Sequence, residues 1–223
     1  QIVAAEDAWV APHEWERRAR PNYVVPDGAI ITVGLDGSKS DDHTAIVGCE
    51  VETSHMFLIG HWDPAQYPDG LLPRDQVDAV VHQTFARYDV VGFYSDRQHF
   101  ETYIDKWAEE FGEGLCVAAR VKQPVEWDMG ARSHDATKAS ESFLDAIITG
   151  ALTHDADPTF TQHVLNARNR PNNYGMTFGK ESRFSSRKVD ALAAATLARQ
   201  ARQDYMALPE SKQRAKAKDW VLL

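Results

Sequence analysis

Residues 33–48 read VGLDGSKSDDHTAIVG, and the parsing of that stretch decides the fold. With the residues before it, 30–35 form the β-branched run IITVGL, the composition of a buried strand. The run stops at Asp36, and Gly37 through Asp42 have the chemistry of a turn. Residues 44–51 (TAIVGCEV) and 56–62 (MFLIGHW) read as two further strands joined by a short turn at 52–55. Three strands in succession predict an antiparallel meander.

Working downstream, Val77, Val80, Val81, Phe85 and Tyr88 recur at helical spacing in residues 74–88, the mark of an amphipathic helix. Residues 89–95 (DVVGFYS) form another strand that ends at Asp96, and 100–111 place Phe100, Tyr103, Ile104, Trp107, Ala108 and Phe111 on one helical face. A strand is expected at 115–121 (LCVAARV), then a helix at 133–149 with Ser133 or His134 as its cap and Gly150 as its stop. A last helix is expected from Arg187 to about Met206, capped by Ser185 or Ser186, its AxAAATLA stretch small enough to lie close on a sheet. Strands interleaved with helices after a meander predict an α/β protein with a mixed sheet covered by helices. Upstream, residues 1–29 carry Pro12, Pro21 and Pro26 around Trp9 and Trp15 and read as a linker or strap with a helical turn near 13–20. Residues 207–223 read as a tail.

Composition narrows the function classes. The chain has 223 residues, 43% hydrophobic and 26% charged, which fits a soluble globular domain and excludes a disulfide scaffold or long disorder. Only Cys49 and Cys116 are present, so a Cys-based zinc site cannot be built; both fall in expected buried strands, a poor setting for a nucleophile, and a reducing cytosolic setting follows. No apolar run approaches the roughly 18 residues of a membrane span. The chain begins at Gln1 with nothing like a signal peptide, the expectation for a piece of a longer protein. A net charge of −9 opposes nucleic acid as a partner. Its distribution does not: residues 165–188 hold Arg168, Arg170, Lys180, Arg183, Arg187 and Lys188 against the single acid Glu181, in a segment whose Asn, Gly and Ser content reads as a loop. The basic residues of 212–218 read as a solvated terminus.

The chemistry rests on acids beside apolar runs. Asp36 ends the first strand, Asp96 ends a later one, and Asp190 lies in the first turn of the last helix. Each has a local alternative: a turn for Asp36, a helix cap for Asp96, and the helix dipole for Asp190. Each alternative explains one residue, whereas convergence explains three. Converging carboxylates repel unless cations neutralise them, and hard divalent ions prefer such oxygen ligands. Other motifs are weaker. No H-E-x-x-H occurs among the nine histidines, His13-Glu14-Trp15 lacks its second His, and His154, Asp155 and Asp157 read as a polar loop. Residues 175–182 (GMTFGKES) have the wrong spacing for a phosphate-binding P-loop.

Four segments in order resemble the nuclease domain of the large terminase subunit of tailed bacteriophages: 33–48 above, 90–96 (VVGFYSD), 138–170 (KASESFLDAIITGALTHDADPTFTQHVLNARNR) and 185–198 (SSRKVDALAAATLA). The resemblance implies a ribonuclease H-like fold, antiparallel meander first and parallel strands after, with helices on both faces. It implies a strap at 1–29 leading from an upstream ATPase domain, a nuclease domain at 30–206 and a tail at 207–223. Carried over, Asp36, Asp96 and Asp190 become the catalytic and metal-binding triad, with Asp42 a fourth ligand that its neighbour Asp41 leaves ambiguous. Two Mg²⁺ or Mn²⁺ ions are implied, as are Arg168, Lys180, Arg183, Arg187 and Lys188 on DNA phosphates. The implied partners are double-stranded DNA, the ATPase domain, the small terminase subunit and the portal, in the host cytoplasm and without a membrane. Two rival classes share part of the signature: an actin-like ATPase fragment, whose strand-Asp-Gly-Ser opening would cradle a nucleotide phosphate, and a non-catalytic module docking on portal or capsid. Among nucleases, a Holliday-junction resolvase or transposase core also fits the acids.

Overall fold

The computed structural model describes residues 7–37, 42–96, 100–182 and 185–214. The meander is present as β1 (Ile30–Asp36), β2 (Thr44–Glu50) and β3 (His55–Trp62), antiparallel in register from Ile31 opposite Glu50 to Asp36 opposite Ala45. β4 (Asp89–Ser95) joins the other side of β1 in parallel, and the two-residue β5 (Thr153–His154) joins β3 in parallel. The result is one mixed sheet in the order β4-β1-β2-β3-β5. Ile31 and Thr32 pair with Val90 and Gly92, so Val91 is an extra residue in β4. That bulge sets the register in which Ser95 pairs with Leu35 and the Asp96 N–H donates to the Leu35 carbonyl at 3.0 Å.

Alternation along the strands divides the core between two faces. Ile31, Val33, Leu35 and Ile46 meet Val77 and Val81 of α2 (Arg74–Arg87) and Ile104 and Trp107 of α3 (Glu101–Phe111). On the opposite face Ala45, Val47 and Cys49 meet Phe143 of α4 (Ser133–Thr149), Phe160 of α5 (Pro158–Asn166) and the alanines of α6 (Asp190–Met206). This is the expected α/β, ribonuclease H-like architecture, with helices on both faces.

The closest packing is between α6 and β1. A Cβ at Gly34 would stand 1.9 Å from the Ala194 carbonyl oxygen and 2.5 Å from the Ala198 nitrogen, so only glycine lets the helix backbone reach the strand. Thr32 Oγ1 donates to the Ala198 carbonyl at 2.7 Å. The helix therefore runs antiparallel to β1, with Ala198 beside Thr32 and Ala194 on Gly34. Asp190 lies four helical residues before Ala194, and Asp36 two strand residues beyond Gly34; those steps, about 6.0 and 6.6 Å, keep pace.

Several local expectations are corrected. Residues 115–121 are not a strand: a 3-10 turn at Gly112–Gly114 follows α3, and the chain then crosses β4 irregularly, with the Cys116 and Val117 N–H groups both on the Val91 carbonyl. The β4 bulge leaves no regular ladder to extend, and contact resumes only as an isolated bridge from Ser95 to Glu126. Cys116 is accordingly half-buried rather than in a buried strand. The Asn- and Gly-rich segment is not a loop throughout but a hairpin of β6 (Arg168–Asn172) and β7 (Gly175–Gly179), turned by residues 173–174. α6 begins at Asp190 after Val189 with no side-chain cap, leaving Arg187 and Lys188 outside the helix. α4 follows Arg132, and neither Ser133 nor His134 caps it, whereas Gly150 ends it with φ +77°. His154 is buried, stacked 3.8 Å from Trp15, and Asp157 caps α5 through the Phe160 N–H, so that segment is not a polar loop. The early helix is the short α1 (Pro12–Glu16), and Trp9, Val10 and Trp15 are buried in the same core as Phe143 and Phe160.

Candidate metal centre

Adjacent parallel strands end side by side, which brings Asp36 and Asp96 to one end of the sheet. The antiparallel turn returns the chain through Asp42 at the same end, and α6 delivers Asp190 from the face above. Asp36, Asp96 and Asp42 are half-buried, and Asp190 is 5% exposed. Burial raises the Asp36 carboxyl well above its ordinary value, and the charges of Asp190, Asp96 and Asp42 raise it further. Asp190 is raised to about 7 by burial and by Asp42, against Lys180 and Lys188. The Asp190 Oδ2 atom is buried with no hydrogen-bond partner among the described residues. Asp96 does not cap α3, which starts at Glu101 after Phe100; its Oδ1 accepts from the Met129 N–H at 3.2 Å.

Asp42 differs from the other acids. Burial acts to raise it, but hydrogen bonds from Lys180 and Lys188 prevail and lower it. The Lys188 Nζ lies 2.9 Å from Oδ1, and Lys180 pairs with Oδ2. Two of the residues expected on DNA phosphates thus stand inside the acidic end of the sheet. Arg187 is exposed and pairs with Glu181 at 3.5 Å. Arg168 is corrected: it is 7% exposed and its guanidinium is spent on the Leu165 and Ala167 carbonyls and on Asp7, so it presents no charge to a ligand. Arg183 and Asp41 lie outside the described residues.

Beside the carboxylates stands a group that the sequence reading passed over. His43 precedes β2, His61 lies on β3 and His163 on α5, and one nitrogen of each lies within 4.8 Å of the others. His43 Nδ1 and His61 Nε2 are 2.8 Å apart, and His43 Nε2 is 3.3 Å from Asp63 Oδ1. The Ala191 N–H donates to His163 Nδ1 at 3.0 Å, and the Asn166 amide donates to the Lys188 carbonyl at 2.9 Å. α5 thereby holds the chain on either side of Asp190. Burial lowers His43 to about 4 and His163 to about 3, and lowers His61 against the pull of Asp63 and Asp157. No spacing signal pointed to these three, because they come from separate elements.

The divalent-ion expectation fits the carboxylate set. Three acids with two raised carboxyls and one orphaned buried oxygen form an all-oxygen donor set whose repulsion a cation relieves.

No family model matches the sequence. The chain is 42% identical over 218 residues to the Gene 13 protein of Mycobacterium phage L5, and equally to that of Mycobacterium phage D29. Those matches take in 92% of the chain but 37% and 36% of the relatives, so the chain spans about a third of the length of the curated relatives it matches. Among solved structures it resembles the HK97 bacteriophage large terminase (TM-score 0.62, 18% identity, 85% of this chain and 42% of that one). It also resembles the large terminase nuclease from thermophilic phage G20c (TM-score 0.58, 13% identity, 87% and 98%). The same G20c nuclease has been solved with bound magnesium (TM-score 0.53, 14% identity, 87% and 97%).

Proposed function

We propose that this chain, whose fold is that of the nuclease domains of large terminases in tailed phages, is a metal-dependent endodeoxyribonuclease that cuts concatemeric double-stranded DNA when genome packaging starts and ends. The observation that carries the reading is Asp36 among Asp96, Asp190 and Asp42, with a buried Asp190 oxygen that no donor among the described residues meets. Asp36, Asp96 and Asp190 would hold two Mg²⁺ or Mn²⁺ ions, with Asp42 a further ligand once its lysines yield. Bound there, the ions would supply an activated water and charge stabilisation at the leaving 3′ oxygen.

The chain's own groups do the rest. Asp96, fixed by the Met129 N–H, and Asp190, fixed by α6 on Gly34, set the separation of the carboxylates around Asp36. Lys180 and Lys188 hold Asp42 ionised and leave positive charge where backbone phosphates would approach. Arg187, exposed on the same segment, and Arg183 would add phosphate contacts that are sequence-independent and salt-sensitive. In the whole protein, residues 30–206 would be the nuclease, 1–29 the strap from an ATPase domain and 207–223 a tail. The small terminase subunit and the portal would be its partners in the host cytoplasm. Among the described residues no helix is long and apolar enough to cross a membrane.

The test is cleavage of supercoiled plasmid with Mn²⁺, Mg²⁺ or EDTA. The wild-type chain should nick and linearise it only with metal, and Asp36→Asn should lower the rate by about a hundred- to a thousand-fold, the scale on which a fixed charge-stabilising group acts. Cleavage in EDTA, or an Asp36→Asn chain of undiminished rate, would refute the reading. A metal-induced melting shift without cleavage, abolished by the Asn change, would leave the metal site standing and make a missing partner the question, whereas neither cleavage nor a shift would point to the docking-module alternative.

A further inference from the structure

His43, His61 and His163 form a second polar cluster that the nuclease reading does not use. They arrive from the residue before β2, from β3 and from α5, and present one nitrogen each within 4.8 Å of the others. The set is all nitrogen, where the neighbouring acids are all oxygen. Imidazole donors suit borderline ions of the zinc class, while Mg²⁺ prefers carboxylates and water. Outer carboxylates are also in place. Asp63 Oδ1 lies 3.3 Å from His43 Nε2, leaving His43 Nδ1 to face the cluster, the usual arrangement of an acid behind a metal-bound histidine. Asp63 is itself fixed by the Ala65 N–H at 2.9 Å.

We propose that His43, His61 and His163 hold one borderline divalent transition-metal ion, of the Zn²⁺ class, at a centre distinct from the carboxylate site. In the ion-free protein the hydrogen bonds assign the ring protons. His43 Nε2 carries one toward Asp63, so its Nδ1 accepts from His61 Nε2, and His163, accepting from Ala191 at Nδ1, carries its own on Nε2. On binding, the ion replaces the hydrogen bond between His43 and His61, and the His61 proton moves to Nδ1. His163 joins only by releasing the Ala191 N–H and shifting its proton from the ligating nitrogen. One buried hydrogen bond is a small term beside the free energy of a three-nitrogen zinc centre. No proton leaves the protein and no electron is transferred. Because Ala191 follows Asp190, filling this centre also alters the first turn of the helix that carries that acid.

Cobalt(II) tests the assignment, since a low-coordinate nitrogen-rich site gives an intense visible absorption and an oxygen-rich one a weak absorption. The full chain, stripped with EDTA, is titrated with Co²⁺. The expected result is an intense band saturating at one equivalent, displaced by Zn²⁺ but not by a large excess of Mg²⁺. The band should survive in Asp36→Asn with Asp190→Asn and vanish in His61→Ala; if that variant fails to fold by circular dichroism, His61→Gln takes its place. No band in the wild type overturns the proposal, as does a band lost with the Asp variants but kept in the His61 variant. Because the Asp-to-Asn chain cannot be a nuclease, failure here and failure of the nuclease reading are separable.

Discussion

The carboxylates and the histidines lie side by side, yet burial has placed them in opposite states. Removal from water disfavours charge in both, raising the acids and lowering the imidazoles. The histidines answer by being neutral and bonding to one another, to Asp63 and to the Ala191 N–H. Two of the acids are answered less well: Asp36 faces three other carboxylates, and Asp190 keeps an oxygen without a hydrogen-bond partner among the described residues. One cluster is satisfied by its own hydrogen bonds and the other is strained by like charge, a repulsion that a bound cation would relieve.

The largest effect on this contrast should come from Gly34→Ala. A methyl group there meets the backbone of α6, which cannot yield as a side chain would, so the helix must lift and carry Asp190 away from Asp36. The variant should lose at least about 3 kcal/mol in urea unfolding, the upper end of overpacking costs, and its metal-induced melting shift should disappear. Retention of that shift would show that α6 packing does not set the carboxylate spacing.

Next in size is the response of the metal-free protein to pH. Asp190 titrates near 7 in the folded chain against an ordinary 3.8, so the folded state binds the extra proton between those values. Its stabilising contribution is present below 3.8 and is lost as pH rises through 7. In EDTA at pH 8, Asp190→Asn should therefore be more stable than the wild type by a few kcal/mol, at about 1.4 kcal/mol per pKa unit. The gap should close below pH 4, and metal should reverse its sign. A destabilised Asn variant in EDTA at pH 8 would mean that the site is not frustrated.

A smaller effect, of opposite slope, belongs to the histidines. His163 titrates near 3 in the folded chain and at 6.5 ordinarily, so the unfolded state holds the extra proton in between. Its contribution is present above 6.5 and lost as pH falls through 3. His163→Gln, which keeps an acceptor for Ala191 but cannot take a proton, should lose less stability than the wild type between pH 6.5 and 4. Equal acid limbs in chemical denaturation would remove His163 from this account.

Much of this was legible in the sequence because it depends on nearest neighbours along the chain. The β-branched run ending at Asp36, the alternating strands after it and the small-residue face of the last helix all announce themselves locally, and the three principal acids were named from their places at element ends. What failed to read was set by contacts that composition does not announce, most of them with partners distant in sequence. Residues 115–121 have strand composition, but the bulge at Val91 denies them a regular ladder. Arg168 looked like a phosphate contact and is consumed by carbonyls near it and by Asp7. Lys180 and Lys188 read as phosphate contacts in the sequence, and in the fold both close on Asp42.

By itself, then, the sequence determined the meander, β4, the helices α2, α3, α4 and α6, and the acids that stand at the ends of those elements, because hydrophobic period and turn chemistry are local properties. Only the tertiary structure decided that Asp36, Asp96 and Asp190 converge and that Asp42 is held by two lysines. It alone brought three unrelated histidines within reach of one another. Those relations depend on strand register and on the approach of α6 to Gly34, where distances are fixed by packing between segments more than 150 residues apart.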